Sequence, residues 1–293
     1  MTAEPFARIV AVDFSASNVP TSGRDSLWVA VAEGDGPIRT ANPRTRHSLA
    51  DLVRTQLARP GRSLVVLDVA LGWPAGTARA IGAKGQPLAA TTRVLRELLT
   101  DDDRNANNRF DVANELNRRS GTSLFWGHPH GRHYDHLAPT KAPLAHLQPR
   151  SVAERRLIEA TVGGVIKSPL QLTGIGAVGG QSLLAQLWVD RLRTAGVDLA
   201  VWPFDPPDAR VVVGEYFFSL ADWRGERGTT PDERQVRAVV RFLRRELAAG
   251  RSPVEDALLD DLTSAQRRVV RGEEGWLVAT SARGNLRSRV GEK

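Results

Sequence analysis

Apolar residues along the chain follow two kinds of pattern, uninterrupted runs and runs with helical spacing. The uninterrupted runs predict strands over residues 8–14, 26–33, 63–69, 199–204 and 210–217. Runs with helical spacing predict helices over residues 47–58, 91–99, 112–119, 180–194 and 231–248. Two strands followed by a helix and a further strand, with helices and strands after them, indicate an α/β protein.

The strand predicted over residues 63–69 is apolar throughout, which indicates a strand covered on both faces, as in a parallel arrangement. The first two strands are joined by a short polar segment and predict a hairpin. Together they indicate a mixed sheet. We expect residues 1–280 to form a single domain, with a large insertion at about 72–170, and residues 281–293 to be a basic flexible tail.

Acidic residues close several of the predicted strands. Asp13 and Asp68 each end an apolar run, and Glu215 ends a later run, VVVG. Asp232 stands in the first turn of the last predicted helix. Carboxylates gathered at one edge of a sheet are ligands that Mg²⁺ or Mn²⁺ shares with substrate phosphate.

Each of these acids also has a structural interpretation. Asp13 could close an Asx-type turn with the serines that follow it, and Glu215 could face solvent from an alternating strand. Asp232 lies beside Thr230 and Glu233, which form a capping-box pattern. Asp68 is harder to explain in this way, because a carboxylate at the end of so apolar a strand is costly without a partner.

Composition narrows the function classes. The chain of 293 residues has a formal charge of +7 and no cysteine, which excludes disulfides, thiolate metal sites and a cysteine nucleophile. Almost all of the basic charge is arginine. The positive charge can therefore reflect the codon bias of a GC-rich genome, or it can serve to bind nucleic-acid phosphates. The sequence contains no run long and apolar enough for a membrane span and no signal pattern at its start, and we expect a cytoplasmic protein with no membrane partner.

Several polar segments are candidate substrate contacts. Gly174, Gly176 and Gly179 precede a helix, where backbone amides can approach a phosphate or simply allow close packing. The other candidate contacts are Ser15, Arg109, Asp111, Trp126 and Gln181. Arginine and an aromatic ring together could hold single-stranded nucleic acid, or could be a solvated helix with an aromatic anchor in the core.

Four histidines fall in one short loop, residues 128–136. Their spacings permit chelation of zinc, but the same side chains could contact substrate or be solvated.

The segments AVDFSAS, LDVALGWPAG, NNRFDVANELNRR, QLTGIGAVGGQS, VVVGEYFFS and EEGWL, in this order, resemble an uncharacterised bacterial family related to predicted nucleases with a ribonuclease H-like fold. Some relatives carry labels from cobalamin or molybdopterin biosynthesis. The resemblance implies a ribonuclease H-like mixed sheet with flanking helices. It also implies that Asp13, Asp68, Glu215 and Asp232 are the catalytic, metal-holding acids.

These observations favour metal-dependent phosphodiester hydrolysis of nucleic acid, with Mg²⁺ or Mn²⁺ as cofactor. Two alternatives stay open. One is a nucleotide or cofactor-precursor enzyme of the actin-like or kinase-like type, and the other is a non-catalytic nucleic-acid-binding module.

Overall fold

The computed structural model describes residues 4–141, 152–163 and 166–280, and in them one mixed six-stranded sheet. The strands are β1 Phe6–Asp13, β2 Trp28–Glu33, β3 Arg39–Ala41, β4 Arg62–Leu67, β5 Leu199–Val201 and β6 Val211–Glu215. Their order across the sheet is β3-β2-β1-β4-β6-β5. Strand β2 runs antiparallel to both of its neighbours, β1 and β3, whereas β1, β4, β6 and β5 run parallel. The predicted α/β class with a mixed sheet is confirmed.

Helices cover both faces of this sheet. They are α1 Arg46–Leu57, α2 Thr77–Ala80, α3 Pro87–Leu98, α4 Arg109–Ser120, α5 Leu157–Val162, α6 Gly179–Thr194, α7 Pro231–Ala248, α8 Ala257–Asp260 and α9 Ser264–Val269. All five predicted helices are present. Helix α3 begins earlier than predicted, because the Gln86 side chain caps it and Pro87 occupies its first turn. Strand β3 and the helices α2, α5, α8 and α9 are too short to show a periodic pattern.

The alternation of side chains along each strand separates two hydrophobic cores. Val12 of β1 and Leu67 of β4 belong to a core shared with α1, α3, α4 and α6. Ala11 and Val66, one position earlier on the same strands, belong to a core shared with α7. Every residue of β4 is buried, as expected for a strand covered on both faces. Successive residues of a central strand therefore point to opposite sides of the molecule.

The segment predicted as an insertion, residues 72–170, carries α2 to α5 in its described parts. The predicted basic tail, residues 281–293, lies outside the described residues. Within the described ranges, no helix is both long enough and apolar enough to cross a bilayer.

Three arginines are built into the interior of the fold. Arg8, Arg46 and Arg156 are almost completely buried, at 0%, 1% and 0% exposure. These three arginines are therefore not available to a nucleic-acid surface.

Arg46 in the first turn of α1 holds together the loops at one end of the sheet. Its guanidinium contacts both carboxylate oxygens of Asp101, at 2.9 and 2.5 Å. It also donates to the backbone oxygens of Ser15 and Ser17, at 3.0 and 2.9 Å, and to that of Asn105 at 2.8 Å. The loop after β1 is thereby fixed to the segment that precedes α4.

We expect Arg46→Ala to lower the free energy of unfolding by about 3–5 kcal/mol, because Asp101 would remain as a buried carboxylate without its main partner. Arg54→Ala on the same helix is the matched control, since Arg54 is exposed and pairs only with Asp51. It should cost less than about 0.5 kcal/mol. Urea unfolding of the three proteins measures this, and equal midpoints would show that the Arg46 contacts do not stabilise the fold.

Candidate functional site

Asp13 and Asp68 are neighbours at the ends of two adjacent parallel strands. Val12 pairs with Leu67 in the sheet, and the amide of Asp68 continues the ladder by donating to the Val12 carbonyl at 3.2 Å. Because both acids come one residue after this pair, both lie on the face covered by α7. Each is partly accessible to solvent. Strand pairing between residues 55 positions apart thus brings the two carboxylates to one place.

A third predicted acid reaches the same region from helix α7. Asp232 lies in the first turn of α7, after the capping residue Thr230. Its Oδ2 accepts a hydrogen bond from the backbone amide of Asp25, at 2.8 Å. Asp25 has a left-handed backbone with a φ of 55°, which an aspartate tolerates in a turn. Asp25 was not among the predicted site residues, because nothing in the sequence except its position in a polar turn pointed to it.

Burial raises the pKa values of these acids, and neighbouring negative charges add to the rise for Asp13. Burial raises the pKa of Asp13 well above its usual range, and the negative charges of Asp68, Asp232 and Asp25 raise it further. Burial also raises the pKa of Asp68 to about 7, against the opposing effect of a hydrogen bond from the Phe218 amide at 3.1 Å. The pKa of Asp232 is raised as well, first by partial burial. Each charge of the described residues that shifts the pKa of Asp13 is negative. Arg24 acts on Asp232, where it opposes the rise in pKa, and it pairs with Asp25 at 3.9 Å.

No arginine, lysine or histidine of the described residues forms an ion pair with Asp13, Asp68 or Asp232. In the same part of the chain, no three acidic or histidine side chains are arranged closely enough to hold a metal ion by themselves. What the structure places together is therefore a pair of carboxylates, with further acids at its edge.

Glu215 does not join this pair. It ends β6 opposite Leu67, so its side chain follows Val211 and Val213 into the core on the other face of the sheet. It is fully buried, and its two oxygens accept from Arg156, each at 2.8 Å. The Leu71 amide donates to Oε1 as well, at 2.6 Å.

The Arg156–Glu215 pair has a structural role. Burial raises the pKa of Glu215, while Arg156 opposes this rise. Arg156 also binds Glu159 and the backbone oxygen of Glu274. Because Leu71 follows Asp68 by only three residues, this closed network fixes the loop through which the chain leaves the acid pair.

Two of the segments that carry the resemblance are packing features of the same region. The backbone of Gly72 lies against the oxygens of Glu273 and Glu274, and an added Cβ would come within 2.4 Å of them. The carboxylates of these two glutamates accept from backbone amides of residues 75–78. The segments LGWPAG and EEGWL therefore pack against each other.

The predicted substrate contacts divide into buried and accessible residues. Ser15 is 8% exposed, and its carbonyl is held by Arg46. Trp126 is 5% exposed and packs in the core, which leaves it unsuited to stack on a base. Arg109 contacts the side chains of Asn18 and Asn107, while Asp111 is exposed on the first turn of α4.

Arg109 also lies beside the start of α6. A Cβ added to Gly180 would come within 3.2 Å of its Nε, so the glycine permits this approach. Burial, together with the neighbouring charges of Arg46 and Arg132, lowers the pKa of Arg109 to about 10. Within the described residues, Arg109 forms no ion pair with a carboxylate. A guanidinium without an acidic partner therefore lies beside the glycine-rich segment.

The glycine-rich segment leads directly into α6. Gly176 has a φ of +73°, and Gly179 packs so tightly that an added Cβ would lie 2.4 Å from the Pro169 oxygen. Close packing is therefore the observed role of Gly179. Gln181 is partly exposed in the first turn of α6. In the histidine-rich loop, His128 is buried and contacts the Pro129 oxygen, whereas His130, His133 and His136 are exposed.

No family model, no curated protein and no solved structure matches this chain. The resemblance to predicted nucleases therefore stays a prediction. Function has to be argued from the acid pair itself.

The raised pKa values predict how stability changes with pH in a chelating buffer. A carboxyl whose folded-state pKa is raised favours folding while it is protonated, and this contribution is lost as pH rises from about 4 through about 7. Asp68→Asn removes the loss. We expect this variant to gain about 1–3 kcal/mol relative to the wild type between pH 4 and pH 8.

Asp35→Asn is the matched control, because Asp35 is exposed in the turn after β2. Its stability should follow that of the wild type at every pH. Urea midpoints measured from pH 4 to 8 test this prediction. Parallel curves for the wild type and Asp68→Asn would contradict a raised pKa of Asp68 in the folded protein.

Proposed function

We propose that this protein is a metal-dependent phosphodiesterase that acts on nucleic acid, with Asp13 and Asp68 holding Mg²⁺ or Mn²⁺. One observation carries the proposal. Two partly accessible carboxylates sit at adjacent strand ends, and burial raises the pKa of each, while the charge of Asp68 raises the pKa of Asp13 further. No cation of the described residues forms an ion pair with either.

The donor set fits a hard divalent cation. Mg²⁺ is commonly held by one or two carboxylates, with water and substrate phosphate completing its shell. The pair Asp13 and Asp68 meets this requirement without a third protein ligand. Because Glu215 is engaged by Arg156 on the other face, we favour one ion held by two acids over a four-acid, two-ion site.

The residues around the pair have distinct roles in this proposal. A bound ion would supply Lewis-acid polarisation of a phosphoryl oxygen. The Phe218 amide fixes Oδ1 of Asp68, which leaves the other oxygen to act as a ligand. Asp232, whose pKa is raised, stands at the edge of the pair and is a better proton acceptor than an ordinary aspartate.

Two further features support a nucleic-acid substrate. Asp13 ends the first strand and Asp68 follows the fourth, as the resemblance to ribonuclease H-like nucleases implies. Arg109 provides a cation near the glycine-rich start of α6, where a phosphate of the backbone could be held. A ribonuclease H-like sheet and contact with nucleic acid are therefore parts of the proposal.

Cleavage of labelled RNA, DNA and an RNA–DNA hybrid, in Mg²⁺ or in Mn²⁺, tests the proposal. We expect wild-type activity on at least one substrate and a loss of at least about 100-fold in Asp13→Asn and in Asp68→Asn. Asp35→Asn should retain wild-type activity, because it makes the same chemical change at an exposed turn.

Equal activity in the wild type and in Asp13→Asn would remove the acid pair from the reaction. Calorimetric titration of each protein with Mg²⁺ separates binding from chemistry. Mg²⁺ binding that depends on both acids, without cleavage of any of these substrates, would retain the metal site and reject nucleic acid as the substrate.

A further inference from the structure

A cavity of about 530 Å³ lies between α3, α6 and the end of β5. Leu71, Val189, Val201 and Phe204 contribute to its wall. Leu71, Val189 and Val201 belong to the core on the face of the sheet opposite Asp13 and Asp68. The volume falls within the range of sites that take small organic molecules.

Gln186 of α6 lines this cavity and is only 4% exposed. Its Oε1 accepts the indole N–H of Trp73, at 3.0 Å. Because an indole nitrogen can only donate, this contact fixes the amide orientation and leaves Nε2 as the donor. Nε2 has no acceptor within the described parts of the chain. A buried donor without an acceptor is costly, and a ligand that supplies one removes the cost.

The charges around the cavity are already neutralised. Arg96 binds both oxygens of Asp190, at 2.9 and 2.6 Å, and Arg193 binds Asp205 at 2.5 Å. Each cation in the wall is thus matched by an anion. This balance disfavours a strongly charged ligand and leaves apolar contact and the Gln186 donor as the selective features.

We propose that this cavity binds a neutral, largely apolar organic molecule, of nucleoside size or smaller, that presents one hydrogen-bond acceptor to Gln186. A ring nitrogen or a carbonyl oxygen would meet the requirement. The site is separate from the acid pair, so the inference does not depend on the proposed nuclease activity.

A ligand in the cavity would nevertheless contact the loop that follows β4, which also carries Asp68. Leu71 lines the cavity, and its amide is held by Glu215 three residues after Asp68. A ligand that packs against Leu71 therefore contacts the segment that positions Asp68.

Methyl NMR of the full-length protein, labelled at leucine and valine, tests the cavity directly. The probes are quinoline and naphthalene, which share a shape but differ in one ring-nitrogen acceptor, and adenosine as a neutral nucleoside. We expect saturable shifts of the Leu71, Val189 and Val201 methyls with quinoline, and at least about five-fold weaker binding of naphthalene.

Gln186→Glu keeps the acceptor for Trp73 and removes the amide donor, so it should weaken quinoline binding by at least about five-fold. Gln56→Glu on α1 makes the same change outside the cavity and should bind like the wild type. Ala89→Phe fills the wall of the cavity and should abolish the shifts, which provides a second variant if Gln186→Glu does not fold.

Saturable shifts by adenosine would extend the ligand class to nucleosides, and their absence would restrict it to smaller molecules. Two results would overturn the inference. One is the absence of saturable methyl shifts with quinoline, and the other is equal affinity of the wild type for quinoline and naphthalene.

Discussion

Repulsion between two carboxylates at the ends of β1 and β4 is the constraint around which this end of the molecule is organised. Asp13 and Asp68 are brought together by strand pairing and partly buried, and no cation of the described residues forms an ion pair with either. A protein gains nothing in stability from this arrangement. The surrounding contacts hold it in place nonetheless, with Arg46 fixing the loop after β1 and Phe218 fixing one oxygen of Asp68. An arrangement that is costly and yet firmly supported is what a cation site requires.

The Arg156–Glu215 pair shows what the same fold does with an acid that has no role at the accessible edge. Glu215 is closed off from solvent and neutralised, and its oxygens bind both a guanidinium and the loop after β4. Asp68 directly follows the adjacent strand β4, but it is partly accessible and forms no ion pair with a basic residue of the described chain. The contrast between the two acids separates a structural carboxylate from a candidate ligand more clearly than their sequence positions do.

The α/β class, the predicted helices and the meeting of Asp13 with Asp68 were predictable, because apolar runs and helical periods report burial directly. The face on which Glu215 lies was not predictable. Strand β6 is buried on both sides, so its sequence has no polar alternation from which a face can be assigned. Arg156 as the partner of Glu215 could not be found either, since its contacts span 59 positions and depend on how the loops pack. The resemblance implied that Glu215 is a metal-holding acid together with Asp13 and Asp68. This would require Glu215 to lie on the same face of the sheet as those two acids.

The most direct test of the acid pair is a crystal structure of the protein soaked with Mn²⁺ and measured for anomalous scattering. If Asp13 and Asp68 hold the ion, we expect one anomalous peak within coordination distance of both carboxylates, and no peak beside Glu215. A peak bound by Glu215, or no peak at the ends of β1 and β4 at saturating Mn²⁺, would contradict it.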